Sequence, residues 1–261
     1  MSDFLNLNIS SREPRQRGAS PPSTLQKVRA RGLFQGWLRR LAVALLLVFV
    51  GWNLWMAARV WWLRNHNPST TSFMDLGLTR LQGQNPRAQL RHNWVAYGDI
   101  SVHLKRAVIA AEDQRFLDHD GLDWEAIEDA YQRNFAKPNR LRGGSTISQQ
   151  LAKNLFLSGK RTYGRKAQEA LITMMMERLL TKRRILEVYL NVIEWGNGVY
   201  GAEAAAQHYF GATAAALSPE QAAQLAAMIP KPRFYDHNRS TPYLERRTEL
   251  LLSLMNRAAA P

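Results

Sequence analysis

"VIAAEDQRFLDHDG", residues 108–121, ends an apolar run on two adjacent carboxylates, Glu112 and Asp113. Leu104, Val108 and Ala111 recur at spacings of four and three, so an amphipathic helix closes at Glu112. A carboxylate at the rim of a core is partly desolvated, which raises its pKa toward that of a working base. On either side of this stretch the pattern stays helical. Asp123 is placed to cap a helix on which Trp124, Ile127 and Tyr131 share a face. In "GGSTISQQLAKNLFL", 143–157, Thr146 stands three residues before Gln149, the spacing of a capping box. "GRKAQEALITMMMERLL", 164–180, and "KRRILEVYLNVIEWGNG", 182–198, read as two further helices, the second stopped by glycines. "LSPEQAAQLAAMIP", 217–230, has Ser218 as N-cap, Pro219 at N1 and Pro230 as the stop, and a last helix runs from about 242 to 257. No βαβ rhythm interrupts them. The body is mainly α, which excludes a Rossmann or α/β-hydrolase architecture.

The chain has 261 residues, 46% of them hydrophobic, enough for one large domain or a domain with an appendage. Its formal net charge of +14 is unevenly spread, since residues 1–64 hold ten Lys/Arg against two Asp/Glu, or +8, and leave +6 for the rest. Cysteine is absent, which removes disulfides, thiolate zinc sites and a Cys nucleophile.

Residues 1–40 read as a disordered basic tail, rich in Ser, Pro and Arg. Leu41 to Ala58 then form an apolar run with Asn53 as its one strongly polar member. Extended to residue 63, it reaches the ~20 residues that a membrane-spanning helix needs. Trp52, Trp55, Trp61 and Trp62 crowd the far end like an interfacial belt. A cleaved signal peptide fits less well, because the polar region before it is too long. Arg12, Arg15, Arg17, Lys27, Arg29, Arg31, Arg39 and Arg40 all precede the run, so the positive-inside bias places the N-terminus in the cytoplasm. Residues 64–100, with the turn-rich "NHNPSTTS" and "QGQNPRAQ", read as a connecting segment holding at most a strand or two, and 101–261 as the main domain.

The six histidines show no HExxH spacing, and no serine has a lysine three residues on, so zinc hydrolase and SxxK acyl-transfer chemistry are both excluded. Carboxylates remain. Glu169 and Glu177 lie eight residues apart and nearly in line on one helix, with Arg165 and Lys166 beside Glu169 and Lys153, Lys160 and Arg161 just upstream. A carboxylate ringed by cations suits a site that binds an anion and moves a proton. Arg165 with Glu169 is also an i,i+4 pair of the kind that decorates exposed helices at ~0.3–0.5 kcal/mol. The residues by themselves leave both readings open.

Five blocks stand in order: "EDQRFLDHDG" at 112, "GGSTISQQLAKN" at 143, "RKAQE" at 165, "KRRILEVYLNVIEWGNGVYG" at 182 and "LSPEQAAQLAAMIPKP" at 217. In these the chain resembles the family-51 glycosyltransferases, specifically the monofunctional biosynthetic peptidoglycan transglycosylases, over about residues 65–255. The resemblance implies a lysozyme-like helical head with a small membrane-contacting jaw, behind one transmembrane helix. It implies polymerisation of lipid II into glycan strands, with undecaprenyl pyrophosphate released and the donor anomeric carbon inverted. Glu112 then matches the general base and Glu169 the carboxylate that assists the leaving group. Lys153, Arg161, Arg165 and Lys166 become the pyrophosphate ligands, and Ser145, Thr146, Gln149, Gln150 and Asn154 the hydrogen-bonding set. Thr146 has a competing use as a helix cap. Asp113 is expected to orient the site or cap a helix, and Phe116 to line the substrate or sit in the core. The family leaves a metal open, with Mg2+ or Mn2+ at Glu169 as the candidate.

Trp124 and Phe135 are jaw candidates, although Trp124 falls in an apolar helical stripe that favours core. Expected partners are lipid II, the growing strand, the bilayer and a cell-wall synthesis or division complex, with no nucleic acid. The expected location is the bacterial inner membrane, single-pass, with the catalytic domain on the periplasmic face. A membrane-anchored lytic glycosidase is the rival reading, but a neutral glycan gives the cation cluster nothing to neutralise.

Overall fold

The computed structural model describes residues 24–136, 144–160 and 162–261. The expectations for Arg12, Arg15, Arg17, Gly143 and Arg161, and for the Phe135 side chain, lie outside the described residues.

In chain order the elements are α1 (Thr24–Trp62), α2 (Ser72–Gln84), β1 (Arg91–His92), α3 (Val102–Glu112), α4 (Trp124–Ala136), α5 (Ile147–Phe156), α6 (Tyr163–Leu179) and α7 (Lys182–Val192). There follow β2 (Glu194–Gly196), β3 (Val199–Tyr200), α8 (Ala202–Phe210), α9 (Pro219–Met228), α10 (Pro232–His237) and α11 (Pro242–Leu254). The protein is mainly α, as its periodicity requires. Its contacts divide the chain into Met1–Asn53 and Leu54–Pro261.

Helix α1 starts at Thr24, well before the expected position 41. Once a strongly helical segment has nucleated, each added residue gains a backbone hydrogen bond, and Leu, Lys, Arg and Gln propagate helix readily. Gly36–Trp62 forms an apolar stretch of 27 residues, about 40 Å long at 1.5 Å per residue and so long enough to cross a membrane. Leu45, Leu47 and Val48 are 62%, 65% and 71% exposed, which is lipid-facing rather than core behaviour. Asn53 satisfies its amide on its own helix, donating to the Phe49 carbonyl at 2.7 Å.

In the second unit, α3 packs on α9 and α11, while α5 packs on α6 and α7. The inward faces of α3 and α7 supply Leu104, Val108, Ile185 and Val188, all fully enclosed. A small sheet in the order β1-β3-β2 pairs Arg91 with Val199 and His92 with Tyr200 in parallel register. The expected caps form: Thr146 with Gln149 and Ser218 with Gln221 make complete capping boxes, and Asp123 Oδ1 accepts the Ala126 N–H at 2.9 Å.

Residues 64–100 contain a helix, α2, that the turn signals concealed. Gly77 looks like a breaker in the sequence but is needed for packing, because a Cβ there would collide with the Tyr200 hydroxyl. The contacts place no boundary at residue 100. Asn191 holds Val95 by both backbone groups, at 2.9 and 3.0 Å, and Glu187 Oε1 accepts the Tyr97 N–H at 3.0 Å. Trp124, expected to favour core, is instead 70% exposed. It is the first residue of α4 and stands clear of the side chains beneath it, whereas Ile127 is half-buried on the inner face.

Candidate active site

Glu112 is the last residue of α3 and Asp113 its C-cap. Asp113 Oδ2 accepts the N–H of Ile147, the first residue of α5, at 3.0 Å. One carboxylate thereby ties the end of α3 to the start of α5, where the helix dipole favours negative charge. His119 Nε2 contacts both Asp113 oxygens, at 3.0 and 3.1 Å, and its Nδ1 accepts the Gly121 N–H at 3.0 Å. That pattern puts the imidazole proton on Nε2, donated to Asp113. Gly121 is left-handed, with φ of 92°, and its carbonyl accepts the Thr146 hydroxyl at 2.6 Å.

This junction sets Glu112 beside the first turns of α5. Gln150 Nε2 donates to Glu112 Oε2 at 2.9 Å, and the Tyr189 hydroxyl donates to Gln150 Oε1 at 2.9 Å. Arg247 on α11 approaches Glu112 Oε1 at 3.9 Å. The carboxylate side chain is only 12% exposed. Burial pushes the Glu112 carboxyl above the usual glutamate range, against the Gln150 hydrogen bond and the charges of Arg247 and Lys153, which lower it; Asp113 adds to the rise. Desolvation wins, which is the condition for a general base. Burial likewise holds the Tyr189 hydroxyl well above its ordinary range, so it stays a donor at neutral pH.

The second carboxylate is built differently. Glu169 Oε2 accepts from Arg165 at 2.7 Å, and its Oε1 pairs with the Lys166 ammonium. Lys166 also reaches Ser145 Oγ at 3.4 Å, while Gln150 Nε2 lies 3.5 Å from the Ser145 carbonyl. A continuous polar chain therefore runs from Glu112 through Gln150, Ser145 and Lys166 to Glu169. Glu169 is buried, whereas the Lys166 side chain is 48% exposed, so the cation faces outward from a fixed anion.

A divalent ion prefers several oxygen ligands. Around Glu169 the structure supplies one carboxylate whose two oxygens are engaged by cations, and this donor set does not fit such an ion. Asp113, His119 and Asp123 approach one another as metal ligands would, but each is accounted for by the hydrogen bonds above.

Of the residues expected from the sequence, the structure joins Glu112, Gln150, Ser145, Lys166, Glu169 and Arg165 in one chain of contacts, while Asp113 lies outside it at the junction of α3 and α5. Lys153 adds its charge to Glu112 and lies 5.5 Å from the Phe73 ring centroid. Asn154 Nδ2 bonds back to the Gln150 carbonyl at 2.9 Å. Phe116, Thr146 and Gln149 are placed otherwise. Phe116 is fully enclosed under the Lys182 ammonium, and Thr146 and Gln149 form the α5 capping box, the Thr146 hydroxyl also bonding the Gly121 carbonyl. Glu177 pairs with Lys182 at 2.9 Å and accepts the Ser148 hydroxyl, a structural use. Arg247 and Tyr189 were missed. Tyr189 sits inside the fourth block, but nothing local marks Arg247. Nε of both Arg165 and Arg247 is buried without an acceptor, as are Arg106 Nε and Trp195 Nε1 away from the site.

The transglycosylase family profile matches residues 79–256, about two thirds of the chain and the whole of this constellation. The chain belongs to the transglycosylase family. Among its relatives, the biosynthetic peptidoglycan transglycosylase of Janthinobacterium sp. (strain Marseille) is 55% identical over 225 residues, 86% of this chain and 96% of the relative. Those of Nitrosospira multiformis and Chromobacterium violaceum are 52% and 55% identical, covering 87% and 82% of this chain and 99% and 94% of theirs. In this transglycosylase the two carboxylates therefore have an enzymatic context, and Glu112 is the one whose surroundings suit proton abstraction.

Proposed function

We propose that the protein is a peptidoglycan glycosyltransferase that polymerises lipid II into linear glycan strands at the membrane. The observation that carries the reading is the desolvated Glu112 carboxylate, joined by hydrogen bonds to a cationic patch anchored on Glu169.

Glu112 takes the proton from the 4-hydroxyl of the acceptor sugar as that oxygen attacks the donor anomeric carbon. The bond to the pyrophosphate breaks in the same displacement, so the centre inverts and no covalent enzyme intermediate forms. Undecaprenyl pyrophosphate leaves with the bonding electron pair. Lys166, Arg165 and Lys153 stabilise the charge developing on its phosphates, and Glu169 holds the first two in place. Gln150 orients the base. The apolar span of α1 keeps the enzyme in the bilayer that holds the polyprenyl chain, which raises effective concentration. The basic residues before the span favour a cytoplasmic N-terminus and a catalytic unit on the periplasmic face of the inner membrane.

The test is polymerisation of purified lipid II by the full-length protein in detergent, beside Glu112→Gln. Glycan ladders from the wild type, and a loss of at least ~100-fold in the variant, are the expected result. Shortening of preformed glycan with lipid II left intact would make the protein a hydrolase and end this reading.

A further inference from the structure

The carboxylate chemistry leaves unused the collar where the apolar helix meets the body. Arg59 lies in the last turn of α1. Its guanidinium sits 5.0 Å from the Trp55 ring centroid and 4.9 Å from that of Phe156, held between two rings. Among the described residues no carboxylate pairs with it. Beside it opens a cavity of about 560 Å3 whose lining includes Trp55, Arg59, Trp62, His66, Ser69 and Phe156 and contains no acidic side chain.

The walls are fixed in place. Trp62 stacks on His66 at 3.6 Å with 8° between the planes. Arg184 donates to the Leu63 carbonyl at 2.8 Å, the His66 carbonyl at 2.9 Å and Asn67 Oδ1 at 2.8 Å, pinning the turn that follows the span. Ser72 Oγ donates to the Leu155 carbonyl at 3.1 Å, which ties the start of α2 to the end of α5.

We propose that this collar binds the headgroup of an anionic phospholipid, its phosphodiester on Arg59 and the start of its acyl chains along the exposed Leu54 and Trp55. A planar guanidinium binds phosphate bidentately, and one already held between rings loses little rotamer freedom in doing so. The depth fits, because Arg59 stands three residues before the end of a span that reaches Trp62, at the level of the headgroups. The charge pattern selects among headgroups. A zwitterionic lipid brings an ammonium group, for which the cavity offers no carboxylate, and two of its rings already face a cation. Soluble phosphate has the charge but no chains to lay on the helix. The collar shares no residue with the chain from Glu112 to Glu169. Phe156 is six residues beyond Gln150 on α5, about 9 Å along the axis.

Native mass spectrometry of the full-length protein in detergent, titrated with dioleoyl-phosphatidylglycerol or dioleoyl-phosphatidylcholine, tests this. One phosphatidylglycerol is expected to bind with at least ~10-fold preference, a difference of about 1.4 kcal/mol. Arg59→Gln should abolish the preference, and Arg64→Gln, an exposed arginine outside the cavity, should keep it. Arg59→Lys retains charge without the planar fork and should retain only part of the preference, which decides the matter if the glutamine variant folds poorly. Equal binding of both lipids, or equal loss in the two glutamine variants, would overturn the proposal. So would displacement of bound phosphatidylglycerol by equimolar lipid II, which would make the collar part of the substrate site, or by millimolar inorganic phosphate.

Discussion

The Tyr189 hydroxyl donates to Gln150 Oε1 across 2.9 Å, and this bond decides which end of the Gln150 amide faces Glu112. With Oε1 occupied, Nε2 is the group turned toward the carboxylate. Tyr189→Phe removes the restraint while keeping the ring in its buried place. A hydrogen bond of this kind contributes ~0.5–1.5 kcal/mol, so kcat is expected to fall about 2–10-fold. The Gln150 bond lowers the Glu112 pKa, so the acid limb of the rate profile should move to higher pH. A purely packing role for Tyr189 would change stability and leave that limb where it was.

Glu112 carries a stability cost. The Glu112 pKa is raised from its ordinary value of 4.5 in the folded protein, so the folded state holds the proton more tightly than the unfolded state. Ionised Glu112 therefore destabilises the fold above its folded pKa, and the penalty disappears below the ordinary glutamate value. Glu112→Gln should raise Tm at pH 7.5, and the gain should vanish near pH 4. Activity of the wild type should fall as pH drops through the raised pKa.

Asp113 joins two helices. Asp113→Ala strands the Ile147 N–H and His119 Nε2 in a buried junction, a cost of about 1–3 kcal/mol for each unpaired group. Chemical denaturation should show the loss as a lower midpoint with an unchanged m-value.

On the leaving-group side, Lys166 presents its charge outward from Glu169. Lys166→Ala should lower kcat by about 100-fold, the cost of removing one positioned donor. Its Tm should fall only modestly, because Arg165 still pairs with the buried Glu169 carboxylate.

Trp124, 70% exposed, lines one surface cavity together with Met174, which is 43% exposed and fifty positions away. Trp124→Ala should leave stability within ~0.5 kcal/mol, as for an ordinary surface change. Sedimentation with phosphatidylglycerol vesicles should nonetheless weaken in a protein lacking residues 1–53, if this surface dips into lipid. Unchanged sedimentation would make Trp124 an idle surface residue.

What the sequence determined by itself was local. The apolar span, the helical periods, the capping boxes at Thr146 and Ser218 and the adjacency of Glu112 to the end of a helix all rest on interactions within about four residues, where pattern and contact coincide. Gly77 marks the limit: read locally it breaks a helix, and only the Tyr200 ring lying against it shows why α2 carries a glycine there. Tertiary structure decided the rest. It brought Gln150 to Glu112 across 38 positions, set Tyr189 behind Gln150 across 39 and delivered Arg247 from the last helix. It also turned Phe116 inward, since a core takes whichever apolar surface its packing encloses. Residue types named the candidate acids; tertiary packing set Glu112 against the Gln150 amide and left Glu169 paired with Arg165 and Lys166.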